Sequence, residues 1–225
     1  MPRPLAPHVM ASTAGEHDAV RAHILDAAHR VIVRDGLAEA STRAIAEEAS
    51  VASGTLYNYF EDRLQLIAES MLRRASVLSG PLHELPSRAG SGSVADNLGR
   101  FAKELGDMLD RLVPLFAAAF SDTELLAAIR RTMASGHGSS GPFAVHPIEA
   151  YLAAEQALGR VAADADCGAA ASLVLSLCHE RAFLDHFFGK AGRRTSMASE
   201  IGFIARSISP PATGVETSPD PGREP

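Results

Sequence analysis

The chain has 225 residues, of which 46% are hydrophobic and none is tryptophan, and its formal net charge is −6 at pH 7. No apolar run approaches the roughly 18–20 residues of a membrane span, and the N-terminus lacks the apolar segment of a signal peptide. We therefore expect a cytoplasmic protein without a membrane partner. The acidic balance argues against a nonspecific nucleic-acid coat, although it allows a local DNA-reading surface.

Composition separates the two ends of the chain from its middle. Residues 1–16 are rich in Pro, Ala and Ser, and residues 209–225 are rich in Pro and Gly, so both are predicted to be disordered tails. Between them the apolar spacing is helical and no segment alternates as a strand does. The predicted fold class is all-α, with about nine helices.

The predicted helices have recognisable ends. They are, in chain order, 17–34, a short helix after an N-cap at Ser41, 53–59, a helix from Asp62 to about Leu78, 94–111, 113–134, 146–160, 166–188 and 196–208. Gly36 ends the first helix, and Asp62 with Gln65 forms a capping box at the start of the fourth. Pro114 is expected to interrupt or restart a helix, and residues 80–93 form a loop between the two halves.

Residues 41–60 have the layout of a helix-turn-helix, in which the second short helix enters the major groove of DNA. Leu56 and Phe60 are four residues apart and are predicted to pack this helix against the first two. Ser53, Thr55, Tyr57, Asn58 and Tyr59 then lie on its other faces. Hydroxyl and amide groups contact phosphates and bases, and Asn pairs with adenine through two hydrogen bonds.

The segment STRAIAEEASVASGTLYNYFEDRLQLI, residues 41–67, resembles the DNA-binding signature of the TetR family of bacterial transcriptional repressors. Gly-Thr-Leu-Tyr-x-Tyr-Phe follows Ile-Ala at the family's spacing, and the resemblance covers about residues 17–75. It implies phosphate contacts by Ser41, Thr42 and Arg63, a base or phosphate contact by Arg43, and a base contact by Asn58. The whole DNA-binding set that it implies is Ser41, Thr42, Arg43, Ser53, Gly54, Thr55, Tyr57, Asn58, Tyr59 and Arg63.

The same segment departs from the family pattern in its turn and in its charge. Ser50 replaces the usual glycine, which predicts a strained backbone conformation, and Ala52 replaces a serine N-cap. Residues 17–75 hold seven Arg against nine Asp and Glu, a net charge of −2. DNA binding is therefore expected to depend on a few placed contacts, doubled in a dimer. The alternative is a three-helix packing module with incidental tyrosines.

Domain boundaries follow from this resemblance. Residues 17–62 are predicted to form the DNA-binding domain, and residues 63–208 a larger helical domain for effector binding and dimerisation. The family resemblance implies a homodimer through the last two long helices, 166–188 and 196–208. The alternative is that these helices fill the core of a monomer.

Aromatic and Met side chains in the second half are typical of a small-molecule cavity, although ordinary core is the alternative for each. The candidate ligand-binding residues are Met108, Leu112, Phe116, Phe120, Phe143, His146, His179 and Phe183.

Metal and catalytic sites have little support in the sequence. His179-Glu180 begins like the zinc-protease motif His-Glu-x-x-His, but Phe183 stands where its second His belongs. Cys167 and Cys178 are about 16 Å apart along one helix, too far for a disulfide. We predict no metal, no cofactor and no catalytic residue.

The function predicted is a one-component transcriptional regulator, a repressor that binds palindromic operator DNA as a homodimer and is released by an unidentified small-molecule effector. The alternatives are a constitutive DNA-binding protein without an effector, an enzyme in the helical domain that uses His179 and Glu180, and a protein-interaction adaptor.

Overall fold

The computed structural model describes residues 7–135, 146–189 and 195–211, and these residues form nine α-helices and one 3-10 helix, with no strand among them. The α-helices are α1 (Pro7–Asp35), α2 (Thr42–Glu48), α3 (Ser53–Leu56), α4 (Arg63–Ser79), α5 (Val94–Ala119), α6 (Thr123–Ala134), α7 (His146–Ala157), α8 (Cys167–Phe188) and α9 (Met197–Ser207). The all-α prediction is confirmed. None of the helices in this part of the chain is long and apolar enough to cross a membrane.

Helix α1 begins at Pro7, well before the predicted start at His17, so residues 7–16 are helical and not a disordered tail. Proline is favoured at the first helical position because its fixed φ suits the helix and its missing N–H has no partner there. The Ala, Ser and Thr residues that follow contain no further proline to stop the helix. Residues 1–6 and 212–225 of the predicted tails lie outside the described ranges.

The predicted break at Pro114 is wrong, because α5 continues through this residue to Ala119. A proline inside a helix leaves the carbonyl four residues earlier without its helical donor, here that of Asp110. Nε2 of His186 in α8 lies 3.1 Å from this oxygen and donates to it. The chain turns later, where Asp122 caps α6 by accepting from the backbone N–H groups of Glu124 and Leu125.

The predicted loop over residues 80–93 is largely ordered helix. A 3-10 helix covers Gly80–Arg88, and its Leu82 and Leu85 are buried. These two side chains pack with α5 and α7 in the core of the second half of the chain. The segment therefore joins the end of α4 to that core, where the sequence had suggested a spacer.

Buried side chains form two clusters, which we call the head core and the body core. The head core joins α1, α2, α3 and the first part of α4 to Ala119 and to the buried face of α6. The body core joins the 3-10 helix, α5, α7, α8 and α9. Phe116 packs against both clusters, and α4 contributes to both, so these two features connect the helix-turn-helix to the rest of the molecule.

Candidate nucleic-acid interface

Helix α3, the second helix of the motif, is only four residues long, and residues 57–59 continue it as a turn instead of the predicted helix to residue 59. Its position is fixed by Leu56 and Phe60, which are 2% and 4% exposed in the head core. The backbone N–H of Phe60 donates to the carbonyl of Leu56 at 3.0 Å and closes the turn. The predicted packing role of this pair is confirmed.

Helix α2 is held by a cap at one end and by α1 at the other. Ser41 Oγ accepts from the backbone N–H of Ala44 at 3.2 Å, as the predicted N-cap requires. Ile45, Ala46 and Ala49 are buried in the head core, as predicted. Nε2 of His23 in α1 lies 3.0 Å from the Ala49 carbonyl and joins α1 to the end of α2.

The turn between α2 and α3 is strained at Ser50, as the sequence predicted. Ser50 has φ of 56°, the left-handed region that glycine enters freely, and it is the one non-glycine residue with positive φ in the described part of the chain. Its N–H donates to the Glu47 carbonyl, and the Val51 N–H donates to that of Ala46 at 2.9 Å. Ala52 begins α3 without a side-chain cap.

All ten predicted DNA-binding residues lie within the described ranges, and their exposure divides them into two groups. The exposed residues are Ser41, Arg43, Ser53, Gly54, Tyr57 and Asn58, and the half-buried residues are Thr42, Thr55, Tyr59 and Arg63. The space around Gly54 is open, with no atom within 4 Å of where a Cβ would stand. The surface of α2 and α3 therefore presents hydroxyl, amide and guanidinium groups to solvent around a short helix.

The two tyrosines of the motif differ in their surroundings. Tyr57 is 61% exposed. Tyr59 is half-buried, and its ring centroid lies 4.4 Å from that of His17 in α1 and 6.5 Å from that of Phe60. The exposed ring of Tyr57 is therefore accessible to a binding partner such as DNA. Tyr59, in contrast, packs between α1 and the turn after α3.

Arg63, at the start of α4, binds the loop between α1 and α2. Its Nε donates to the Ala40 carbonyl at 2.7 Å and its Nη2 to the Leu37 carbonyl at 2.8 Å. A phosphate contact by Arg63 stays a prediction. Its contacts with these two carbonyls could not be predicted locally, because the partners lie more than twenty residues away in a loop.

The predicted cap at the start of α4 is present, and its reciprocal bond is shifted by one residue. Asp62 Oδ1 accepts from the Gln65 N–H at 2.8 Å. Gln65 Oε1 in turn accepts from the N–H of Glu61 at 2.6 Å, where a capping box would place the N–H of the cap residue itself.

Ion pairs in the first half of the chain neutralise several of its acidic side chains, so that Arg43 keeps an available positive charge although the segment is acidic overall. Arg30 and Arg34 both pair with Glu48, which lowers the pKa of that carboxyl, and Arg34 also pairs with Asp35. Further pairs join Arg21 to Glu69 and Arg73 to Asp26. Arg43 makes no ion pair or hydrogen bond with its side chain in the described part of the chain, so its charge remains available on α2.

The candidate ligand-binding residues are spread between core and surface. Met108 and Leu112 are buried in the body core, Phe116 lies between the two cores, and Phe120 is 73% exposed. His146 and Phe183 are also exposed. His179 is half-buried with Nδ1 2.9 Å from the Leu175 carbonyl. Phe143 lies outside the described residues, and ligand contact by all eight stays a prediction.

Titratable side chains of the second half form no group of three or more that could hold a metal ion, among the residues the structure describes. Cys167 and Cys178 are free thiols, and burial raises the pKa of Cys178 to about 12.

An apolar surface lies on the last two helices, the pair through which the family resemblance implies a homodimer. Large hydrophobic side chains there are exposed at Leu173, Phe183, Leu184, Phe187 and Phe188 of α8 and at Phe203 of α9. Phe187 stacks on Phe183 with centroids 5.9 Å apart and meets Phe188 edge-on at 4.8 Å. A plain period count treats these phenylalanines as core, and only the packing of α8 against α5 shows which side faces solvent.

A short, exposed second helix packed on a three-helix core defines a helix-turn-helix DNA-binding domain. The family model for "Bacterial regulatory proteins, tetR family" matches residues 24–69, which span α1 to α4. Residues 24–69 are therefore similar to the DNA-binding part of the TetR family, in agreement with the resemblance found in the sequence. The HTH-type transcriptional repressor KstR of Rhodococcus jostii (strain RHA1) is 38% identical over 72 residues, which are 29% of this chain and 34% of that repressor. The chain thus matches about a third of this relative's length.

Solved structures share the fold over most of the chain. A TetR transcription regulator from Haloarcula marismortui ATCC 43049 matches with a TM-score of 0.62 at 12% identity, covering 85% of this chain and 99% of that one. Salmonella enterica GusR matches with a TM-score of 0.58 at 18% identity, covering 85% and 95%. FadR of Bacillus subtilis, solved with stearoyl-CoA, matches with a TM-score of 0.54 at 17% identity, covering 82% and 95%. At these identities the likeness shows the fold alone.

Proposed function

We propose that the protein is a sequence-specific transcriptional repressor that binds operator DNA as a homodimer and leaves it when a small-molecule effector binds. The observation that carries the DNA-binding part is the exposed surface of α2 and α3. Arg43, Tyr57 and Asn58 project there without burial, while Leu56 and Phe60 hold the helix in the head core. Asn58 is suited to adenine, and Arg43 and Tyr57 to phosphate or base edges.

The DNA-binding proposal is tested with single substitutions on this surface. Arg43→Ala, Tyr57→Ala and Asn58→Ala are each expected to weaken binding to selected genomic fragments about tenfold, because each removes one hydrogen bond to a phosphate or base. Arg100→Ala is the matched control, since Arg100 is exposed on α5 in the other half of the chain. Fluorescence anisotropy measures the affinities. Unchanged affinity in all three variants would favour the protein-interaction adaptor.

The homodimer is proposed through the exposed apolar face of α8 and α9. Monomeric soluble proteins rarely expose a contiguous apolar patch of this kind, and dimers of helix-turn-helix proteins match two half-sites on DNA. Phe187→Glu and Phe203→Glu are expected to give monomers in analytical ultracentrifugation, since each places a charge on this face. Val33→Glu, on the exposed side of α1, is the control. Dimers in both α8 and α9 variants would contradict this interface.

Effector release is proposed from the fold and from the packing between the two cores. Helix α6 shares the head core, while α5 runs from the body core to α6, so a shift of α5 is transmitted to the helix-turn-helix. On this proposal α6 moves together with the helix-turn-helix, although it lies after the predicted domain boundary between residues 62 and 63, because its buried face belongs to the head core. An effector acts only through unequal affinity for the DNA-binding and released states.

Long-chain acyl-CoA is the first ligand class to test, because the Bacillus subtilis FadR structure holds stearoyl-CoA. Stearoyl-CoA is titrated into the protein–DNA complex, with free CoA as the control, and release is followed by anisotropy. Release by stearoyl-CoA and not by CoA supports this class. If stearoyl-CoA and a wider panel of metabolites all leave the complex intact, the protein is the constitutive DNA-binding alternative.

A further inference from the structure

A cleft of about 430 Å³ lies between α1 and the second half of α4, apart from the DNA-binding surface. It is lined by Asp26, His29, Arg30, Ser70, Arg73, Arg74 and Val77. Its volume falls in the range of roughly 300–1,000 Å³ that ligand pockets occupy. Arg73 is ten residues beyond Arg63 along α4, or about 15 Å at the rise of an α-helix.

The cleft carries more positive than negative charge. Three guanidinium groups line it against the single carboxylate of Asp26, whose Oδ1 lies 3.2 Å from Arg73 Nε. Arg30 pairs outside the cleft, through Nε at 2.6 Å from Glu48 Oε1. Arg74 makes no ion pair with any residue in the described ranges and is only half-buried. One guanidinium therefore lines the cleft with its charge uncompensated by an ion pair.

His29 adds a polar group whose hydrogen-bonding capacity is unused. Its Nδ1 is buried and has no hydrogen-bond partner in the part of the chain that the structure describes. Burial lowers the pKa of His29, and the charge of Arg74 lowers it further. Buried nitrogen atoms are nearly always satisfied, so a group that accepts from Nδ1 removes a standing cost.

We propose that the α1–α4 cleft binds a small multivalent anion that carries phosphate or carboxylate groups, held by Arg74 and Arg73 with His29 as a further donor. Arginine binds both kinds of group through two parallel hydrogen bonds, and the cleft exceeds the size of a single inorganic ion. The anion would bridge α1 of the helix-turn-helix to α4, which also reaches the body core. This binding does not depend on the proposed DNA-binding function.

The proposal is tested by isothermal titration of the full chain with sodium pyrophosphate and, separately, with citrate, at constant ionic strength. Binding of either with one site per chain supports it, and the preferred anion assigns phosphate or carboxylate chemistry. Arg74→Gln is expected to weaken binding about tenfold, because it removes a charge-assisted hydrogen bond. Arg74→Lys keeps the charge, so its anion affinity is expected to lie between those of the wild type and Arg74→Gln. The anion affinity of Arg100→Gln is expected to stay within about twofold of the wild type.

Three results would overturn the anion site. They are no binding of either anion at millimolar concentration, equal loss in Arg74→Gln and Arg100→Gln, and weaker DNA binding by Arg74→Gln in the absence of added anion. The last result would assign the cleft to DNA phosphates. Circular dichroism of each variant confirms that the helices are intact, so that a loss of binding reports on the cleft.

Discussion

Truncation of Leu56 separates the packing of α3 from the contacts that α3 makes with DNA. Leu56 is the last residue of this four-residue helix and is 2% exposed in the head core. Replacing a buried Leu by Ala leaves a cavity and costs about 2–5 kcal/mol. For a chain of this size each kcal/mol lowers Tm by about 2–4 °C, so Leu56→Ala is expected to lower it by about 4–20 °C.

The assay is urea denaturation followed by circular dichroism, together with a thermal melt. Val33→Ala is the control, because Val33 is 69% exposed on α1 and its truncation is expected to stay within about 0.5 kcal/mol. Operator affinity of Leu56→Ala is also expected to fall, since the same side chain positions Tyr57 and Asn58. A loss of stability below about 1 kcal/mol, with full DNA affinity, would refute the packing of α3 described above.

Three further substitutions or reactions test local features. Ser50→Gly is expected to raise the free energy of unfolding by about 1 kcal/mol in urea denaturation, because glycine relieves the left-handed strain; a lower stability would contradict this. Asp62→Ala is expected to lower it by about 1 kcal/mol through loss of the α4 cap, with exposed Asp18→Ala unchanged; equal effects would disprove the capping role. Cys178, with its pKa raised to about 12 by burial, is expected to resist iodoacetamide in the folded protein and to react in urea; rapid labelling of the folded chain, mapped by mass spectrometry, would argue against its burial.

Features that depend on neighbouring residues could be predicted from the sequence. Ser41 and Asp62 cap their helices through a backbone N–H three residues on, and Gly36 ends α1 with φ of 91°. Leu56 and Phe60 were assigned to the core because they share one face of a short helix. The strained backbone of Ser50 could be predicted because the TetR-family pattern has glycine at this position, where serine carries a side chain.

Features that depend on distant partners could not be predicted. Pro114 does not break α5, because His186, 76 residues from Asp110, supplies a donor for the freed carbonyl. Arg63 binds loop carbonyls that no local pattern connects to it. The candidate ligand residues fell on different sides of their helices, since the side that faces the core is decided by which helix packs there. The cleft between α1 and α4 could not be predicted either, because it forms only where these two helices pack against each other.

Genome-wide selection of DNA fragments with the purified full chain tests the central claim most directly. If α2 and α3 read DNA in a homodimer, the enriched fragments share an inverted repeat whose half-site centres are about 34–36 Å, or a multiple of this, apart along the helix axis. The Asn58→Ala variant is expected to lose or relax one base position in each half-site. Enrichment without any shared sequence, or an identical repeat with the Arg43, Tyr57 and Asn58 variants, would contradict the account.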